Sequence, residues 1–455
     1  MSNTIVGILG LLTIVAIVVT LFQSKTQPAI AFIVWPTILA LILVVTGRYS
    51  FDNIAAMIKS GFGSTGPTAA LFVFSVLYFG IMTDAGMFDV IIGKLMTFVG
   101  DNVIGVCIVT CIIALVGHLD GGGASTFCIV VPAMMPVFDR MHMRRTSLLR
   151  IAVLAMGVLN LMPWAGPTMR AASVLGIEAG ELWGTLIPIQ IFGVALALVH
   201  AVIVGVIETK RGAGLNGKLA EIEGEVAAED TQVEAVNELA RPKLFLFNVI
   251  LTVAVIALLI WDVFPSYVPF MLGVAIAILV NYPGAKMQKK IINSHAGPAL
   301  MMCSTLMGAA VLMGVLVKSV TGADGAEIAS VVTCMSDLIK MILPDFLGRH
   351  LPLVIGVLSV PLALAFDTDS YFYGMLPVMI GIGQGFGISA LPIAVAMVVC
   401  RNCATFISPM VPATLLGVGL ADVDIKDHIK NAFPWVWGFS ILCMLFAVLM
   451  GIMPV

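Results

Sequence analysis

Apolar runs long enough to cross a bilayer alternate with short polar interruptions along most of the chain. Residues 4–23, 28–47 and 67–83 are the first three, each within the 17–25 residues or so that a spanning helix needs. Residues 102–138 form a fourth run, broken in its middle by Asp120-Gly121-Gly122-Gly123. A fifth, 147–176, is broken from Asn160 to Thr168, and 185–207 is an unbroken span. The long polar stretch 208–243 is rich in Glu and reads as a solvated linker. The plan then returns. Residues 244–262, 265–282 and 298–319 read as simple spans, and 351–383 is broken at Asp367-Thr368-Asp369-Ser370. Residues 389–421 are broken between Arg401 and Thr414, and 433–455 close the chain as a last span.

Spacing supports a duplication. Gly66-Pro67 and Gly297-Pro298 lie 231 residues apart, Asp120 and Asp367 247, and Pro132 and Pro377 245. Pro163 and Pro409 are 246 apart, as are Thr168 and Thr414. Independent landmarks that agree on nearly one offset point to two copies of one plan, 1–207 and 244–455. The flanks of each first broken run hold about 15 residues, which as helix reach only about 22 Å. They are too short to cross, so 102–138 and 351–383 are predicted to be re-entrant hairpins. Five crossings per half remain, and an odd number inverts the second half relative to the first, the plan of many secondary transporters. The expected fold is an all-α polytopic membrane protein. It has two inverted repeats, about ten transmembrane helices, two re-entrant hairpins and two broken helices.

Composition narrows the classes. Of the 455 residues 60% are apolar and 11% charged, against about 25% charged in soluble domains. A soluble enzyme, a disordered chain and a nucleic-acid binder are excluded. With both termini outside the cytoplasm, sixteen of the 23 Lys and Arg fall in inner loops and five in outer ones, as the positive-inside rule asks. The other two, Arg170 and Arg401, sit beside the breaks. Two amphipathic stretches precede the hairpins, one through Phe88, Ile91, Ile92, Leu95 and Met96, the other from Ile328 to Ile339. They are expected to lie along the membrane surface as linking arms. The eight cysteines read as packing residues, since the Cys400-x-x-Cys403 pair has no second pair to complete a zinc site. The first run lacks the basic start and small-residue cleavage site of a signal peptide. No HExxH or nucleophile-elbow motif suggests an enzyme.

Breaks in spanning helices occur only where protein or a water-filled cavity surrounds the freed backbone. Each break offers helix ends whose N–H groups attract anions and whose carbonyls attract cations. Around the four breaks stand His118, Asp120, Ser125, Thr126, Asn160, Thr168, Asp367, Thr368, Asp369, Ser370, Asn402, Thr405, Ser408 and Thr414. Arg170 and Arg401 add fixed positive charge, for which a substrate carboxylate is a natural partner. Asp120, Asp367 and Asp369 can balance those arginines, bind a divalent cation or carry protons. Plainer roles are open too. His118 can cap a hairpin helix, Trp164 can be a wedge in its break, His200 can be packing, and either arginine can snorkel to an interface.

At these residues the chain resembles a known family. The segments Gly80-Ile81-Met82-Thr83-Asp84-Ala85-Gly86, Leu119-Asp120-Gly121-Gly122-Gly123-Ala124-Ser125-Thr126 and Pro163-Trp164-Ala165-Gly166-Pro167-Thr168-Met169-Arg170 are similar to the bacterial citrate–metal:proton symporters. So are Tyr371-Phe372-Tyr373-Gly374-Met375-Leu376-Pro377 and Ser408-Pro409-Met410-Val411-Pro412-Ala413-Thr414. That family belongs to the ion-transporter superfamily, with the divalent-anion sodium symporters. The resemblance implies proton-coupled uptake of citrate or a related tricarboxylate, complexed with a divalent cation such as Mg2+ or Ca2+ that travels as cargo. It implies no permanently bound cofactor, a homodimer in the bacterial inner membrane and an elevator motion of hairpins and broken helices against a scaffold. Substrate binding would fall on Ser125, Thr126, Asn160, Gly166, Thr168, Arg170, Asp367, Thr368, Asp369, Ser370, Arg401, Asn402, Thr405, Ser408 and Thr414. Proton coupling would fall on His118, Asp120, Asp367 and Asp369, and the cargo metal would lie near Asp120, Asp367 and Asp369. The alternatives are a sodium-coupled carrier of free di- or tricarboxylate and, more remotely, an anion channel.

Overall fold

The structure, a computed structural model, describes all residues except 24–25, 99–101, 216–237, 262, 322–325 and 454–455. Most of the linker expected at 208–243 therefore lies outside the described residues, as do Lys25 and Lys218 of the inner-loop charges.

The described chain is almost wholly helical. Its first half runs α1 (Asn3–Phe22), α2 (Pro28–Val45), α3 (Phe51–Asp84), α4 (Met87–Met96), α5 (Val103–Gly117), α6 (Gly123–Arg140), α7 (Arg145–Leu159), α8 (Gly166–Leu175) and α9 (Ala179–Arg211). The second runs α10 (Phe245–Trp261), α11 (Tyr267–Asn281), α12 (Ala285–Val317), α13 (Val331–Lys340), α14 (Asp345–Arg349), α15 (Leu351–Ala363), α16 (Leu376–Gly385), α17 (Ala390–Cys403), α18 (Pro412–Leu420) and α19 (Ile425–Leu449). A π-helical turn, Ser370–Met375, precedes α16, and two-residue strands, Val320–Thr321 and Glu327–Ile328, precede α13. Among the described residues seven helices are long and apolar enough to cross a membrane by themselves. The protein is a multi-pass membrane protein.

Helix contacts come in exchanged pairs. α2 packs on α12 as α11 packs on α3, and α1 on α13 as α10 on α4. α5 meets α7 and α9 as α15 meets α17 and α19, and α6 meets α18 as α16 meets α8. At the centre α3 crosses α12 backbone to backbone. A Cβ on Gly61 would stand 1.9 Å from the Ala310 carbonyl oxygen, and one on Gly314 would stand 2.3 Å from that of Met57. Small residues at such crossings let membrane helices gain van der Waals contact where no hydrophobic drive exists.

Several boundaries differ from the sequence reading, among them the start of α19 at Ile425, eight residues before 433. α3 and α12 begin 16 and 13 residues before 67 and 298, with Pro67 and Pro298 inside them. The early turns carry Asp52, Asn53 and Lys59, or Lys286, Lys289 and Lys290, so a hydropathy window misses them. A Ser50–Asn53 capping box starts α3. Secondly, α9 runs to Arg211, and Glu208 belongs to the helix rather than to a solvated stretch. Its carboxylate is fully buried and accepts from Arg144 Nε (2.7 Å), Ser147 Oγ (2.6 Å) and Arg211 Nε (3.0 Å). Thirdly, the second hairpin returns through the π turn. Pro377 has no N–H to give the Tyr373 carbonyl, so the wide turn ends where α16 begins.

Ser147 to Leu159 of α7 and Pro392 to Cys403 of α17 are buried throughout. The broken helices are thus the centre of their block, wrapped by the hairpins and last spans, and their continuous apolar sequence reflects burial on all sides.

Candidate functional site

Each hairpin tip is built around an aspartate that folds the turn onto itself. Asp120 accepts from the Gly122 N–H (2.7 Å) and the Ser125 hydroxyl (2.5 Å), while Gly121 takes the left-handed φ of +71° the turn requires. Asp367 accepts from the Asp369 N–H (2.9 Å), the Ser370 N–H (3.4 Å) and the Ser370 hydroxyl. The tips are half-buried, whereas residues 401–408 of the second break are fully enclosed.

The first tip docks on both breaks. His118 is fully buried. Its Nδ1 lies 2.7 Å from Thr126 Oγ1, and its Nε2 faces the acceptor Asn160 Oδ1 at 3.1 Å, so Nε2–H donates to Asn160. Trp164 Nε1 donates to the Leu119 carbonyl (2.8 Å) and packs among Phe79, Trp183 and Phe270. Trp164 is thus a wedge holding break to tip. On the other side the ring of Phe406, from the second break, stands edge-on to His118 at 5.3 Å and leaves no room for a Cβ on Gly123.

The second tip does the same in mirror order. Arg401 Nη2 donates to the Phe366 carbonyl (3.2 Å) and Nη1 to Thr405 Oγ1 (3.2 Å), with its guanidinium 5.7 Å from the Tyr371 ring centre. Arg170, from α8 of the first half, donates through Nε to Asp369 Oδ1 at 2.5 Å. Arg170 crosses over Gly166, where a Cβ would stand 2.5 Å from Nη1. Both arginines are buried, Arg170 at 7% and Arg401 at 0% exposure, so neither snorkels to an interface.

The two breaks also touch. Asn402 Nδ2 donates to the Asn160 carbonyl (3.1 Å), and Thr168 Oγ1 donates to the same oxygen (2.9 Å). Phe406 lies 246 residues from Asn160, at the repeat-equivalent position, but its carbonyl is taken by His428 Nε2 (3.1 Å). The Thr414 hydroxyl, the counterpart of Thr168, is left buried and free. Four helix N-termini, those of α6, α8, the π turn and α18, thus end in one cluster with four C-termini.

Unsatisfied buried polar atoms concentrate here: Asn160 Nδ2, Arg401 Nε, Asn402 Oδ1, Thr414 Oγ1 and Tyr373 Oη. Buried polar groups are normally paired, and an arginine held at depth without a carboxylate is costly. Such a set suits a polar, anionic cargo. Not every residue faces it. Thr405 serves Arg401, and Ser408 Oγ accepts the Met410 N–H (3.2 Å) within its own turn. Thr126 closes the first hairpin on Gly122 and Ser125 holds Asp120, while Thr368 stays half-buried at the second tip. Among the described residues no three His, Cys, Asp or Glu side chains gather as ligands. Phe406, Tyr371 and Tyr373 were not among the sequence candidates. The repeat offset from Asn160 marks Phe406, and the paired Tyr371-x-Tyr373 at the hairpin tip is the signal for the other two.

The chain matches the family described as "Citrate transporter" over residues 1–400. It is 34% identical over 446 residues to a Bacillus subtilis (strain 168) protein named "Citrate transporter", covering 98% of this chain and 99% of that one. It is 31% identical over 445 residues to the same organism's "Mg(2+)/citrate complex secondary transporter", covering 98% of each. Among solved structures, the Alcanivorax borkumensis YdaH transporter aligns with a TM-score of 0.56 at 14% identity, over 94% of this chain and all of that one, which bears on the fold alone. The protein is a membrane transporter and not an enzyme. Its match across most of its length, and its identity to full-length relatives, place the chain in the citrate transporter family.

Proposed function

We propose that the protein is a secondary transporter that takes up citrate, or a related tricarboxylate, as a complex with a divalent cation and in symport with protons. One observation carries the reading. Two interrupted helices from opposite halves meet at Asn160 and Asn402, both hairpin tips dock on them, and buried polar atoms there lack partners. A cargo with several carboxylates supplies acceptors for Arg401 and the Asn160 amide, and negative charge for the helix N-termini. The cation is cargo, most of whose ligands are citrate oxygens, with Asp120, Asp367 and Asp369 as neighbours. The name of one relative, a Mg2+/citrate complex transporter, supports this half.

In this reading Ser125, Thr126, Asn160, Gly166, Thr168, Arg170, Thr368, Ser370, Asn402, Thr405, Ser408 and Thr414 form or support the substrate cradle. Asp369 holds Arg170 in the empty state and yields it to a substrate carboxylate. His118, Asp120, Asp367 and Asp369 carry the coupling protons. α1–α3 and α10–α12 form the scaffold, and the hairpins, broken helices and last spans move against it as an elevator. The protein works as a homodimer in the bacterial inner membrane with both termini outside.

Uptake of labelled citrate into proteoliposomes tests the two halves separately. Stimulation by Mg2+ or Ca2+ and by an inward proton gradient is expected. Indifference to every divalent ion removes the complexed cargo, and indifference to the proton gradient removes the coupling. The free acceptors Asn402 Oδ1 and Thr414 Oγ1 also suit Na+. Uptake driven by Na+ without a divalent ion would select the sodium-coupled reading.

A further inference from the structure

One buried hydroxyl at the second hairpin serves nothing in the protein itself. Tyr373 lies in the π turn behind the tip, is 0% exposed, and its Oη has no hydrogen-bond partner. Phe32 of α2 holds the ring edge-on at 5.6 Å. Tyr373 lines a narrow slot with Gly166 and Arg170 of the first half's broken helix and with Met302 and Thr305 of α12. The slot admits no water-sized sphere, so a solvent molecule cannot serve the hydroxyl there. Thr305 gives its own hydroxyl to the Met301 carbonyl (3.1 Å). The Tyr373 hydroxyl is within electrostatic reach of both Arg170 and Asp369. Arg170 spends Nε on Asp369, while its Nη2 meets only the Met302 sulfur, at 3.7 Å.

The duplication shows that this arrangement is an addition. The offset of 246 residues that relates Thr168 to Thr414 also relates Phe127 to Tyr373 and Arg170 to Leu416. In the first half α6 packs on α18 much as the π turn packs on α8 in the second. There the Phe127 ring lies over Gly417, where a Cβ would stand 2.7 Å from it, and edge-on to Phe406 at 5.9 Å. A plain phenyl ring thus fills the position in one half, and an apolar leucine stands where the other half has its arginine. The hydroxyl and the guanidinium occur together on one side only. Burying either without an acceptor costs stability, so the pair calls for a ligand that supplies oxygen acceptors to both.

We propose that Tyr373 is a substrate-binding residue whose hydroxyl joins Arg170 in taking one carboxylate of the cargo. This rests on the citrate reading and assigns one of its carboxylates. A substrate carboxylate that displaces Asp369 from Arg170 takes over a position already beside Tyr373, and one carboxylate replaces another there. Its two oxygens accept from the guanidinium and from the phenol O–H, a charge-assisted set. Arg401, at the other break, is left for a second carboxylate, so the cradle selects cargo with at least two.

Tyr373→Phe removes one oxygen and keeps the ring. Uptake of labelled citrate with Mg2+ into proteoliposomes is measured beside thermal unfolding of the detergent-purified full chain without citrate. The KM for citrate should rise at least about tenfold, the worth of a hydrogen bond to a charged group. The maximal rate per folded molecule should stay within about twofold, as for a contact made equally before and during transport. The unfolding midpoint should be unchanged or raised, because an unpaired buried hydroxyl is gone. A wild-type KM overturns the proposal. A lower maximal rate at wild-type KM also overturns it and gives the hydroxyl a part in the motion instead. So does a lowered unfolding midpoint, which would mean that the hydroxyl has a partner inside the protein. The wild-type arm tests the underlying reading separately: a wild-type chain that takes up no citrate overturns that reading, and this inference with it.

Discussion

The Arg170–Asp369 pair joins the first half's broken helix to the second half's hairpin tip, and its worth can be worked from the coordinates. The side chains are 8% and 14% exposed and meet at 2.5 Å. With charge centres about 4 Å apart and an effective dielectric near 20, the attraction is about 4 kcal/mol. Dehydration of both groups takes back part of this and leaves a coupling of about 2–3 kcal/mol. Removing one partner strands the other, at about 3–5 kcal/mol. Arg170→Met and Asp369→Asn are therefore each expected to destabilise by about 3 kcal/mol. The double variant should also lose about 3 kcal/mol, not 6, because it leaves no stranded charge. Equilibrium unfolding in mixed micelles reads the cycle, and citrate uptake is measured in parallel. Stability should recover in the double variant relative to additivity while uptake stays lost, because Arg170 is gone. Additive costs, with a coupling under about 0.5 kcal/mol, would refute the reasoning and show that the pair is not a latch between halves.

Other outcomes follow from the same geometry. Arg401→Met should change stability by under about 2 kcal/mol, since it removes a costly buried charge along with two long hydrogen bonds, yet abolish uptake; retained uptake would show that Arg401 is structural. Gly166→Ala pushes a methyl to 2.5 Å from Arg170 Nη1, so citrate uptake should fall at least tenfold, and a wild-type rate in proteoliposomes would mean Arg170 does not act from this position. Glu208→Gln leaves Arg144 and Arg211 without their shared carboxylate, which should lower unfolding stability by about 2–3 kcal/mol. Uptake per folded molecule should be unchanged, which separates this node from the transport site.

Much of the molecule is written in local sequence. A helix in hydrocarbon satisfies its own backbone, so apolar runs announce spans and their interruptions announce breaks wherever they fall. The breaks at Asp120–Gly123, Asn160–Thr168 and Asp367–Ser370 could be read that way, and so could the placing of Arg170 and Arg401 beside them. Pro67 and Pro298 misled the reading, because a proline inside a packed membrane helix looks in sequence like a start. Glu208 misled it too, since nothing local says that Arg144 and Ser147, some 60 residues earlier, will enclose it.

Tertiary structure alone decided partnership. Asn402 reaches Asn160 across 242 residues, and Arg170 reaches Asp369 across 199. The near-constant offset points to two copies of one plan, but not to which tip docks on which break. That choice lies in the packing of α6 on α18 and of α16 on α8, which no window along the chain contains. The duplication is also broken where it matters. Thr168 closes on the Asn160 carbonyl, while His428 occupies the matching carbonyl of Phe406 and leaves Thr414 free. Sequence determined where the backbone would be interrupted, because that depends on local hydropathy and on Gly and Pro. Which polar atoms were left without partners was settled only when the two halves closed on each other, because hydrogen bonding there is a property of the assembled pair.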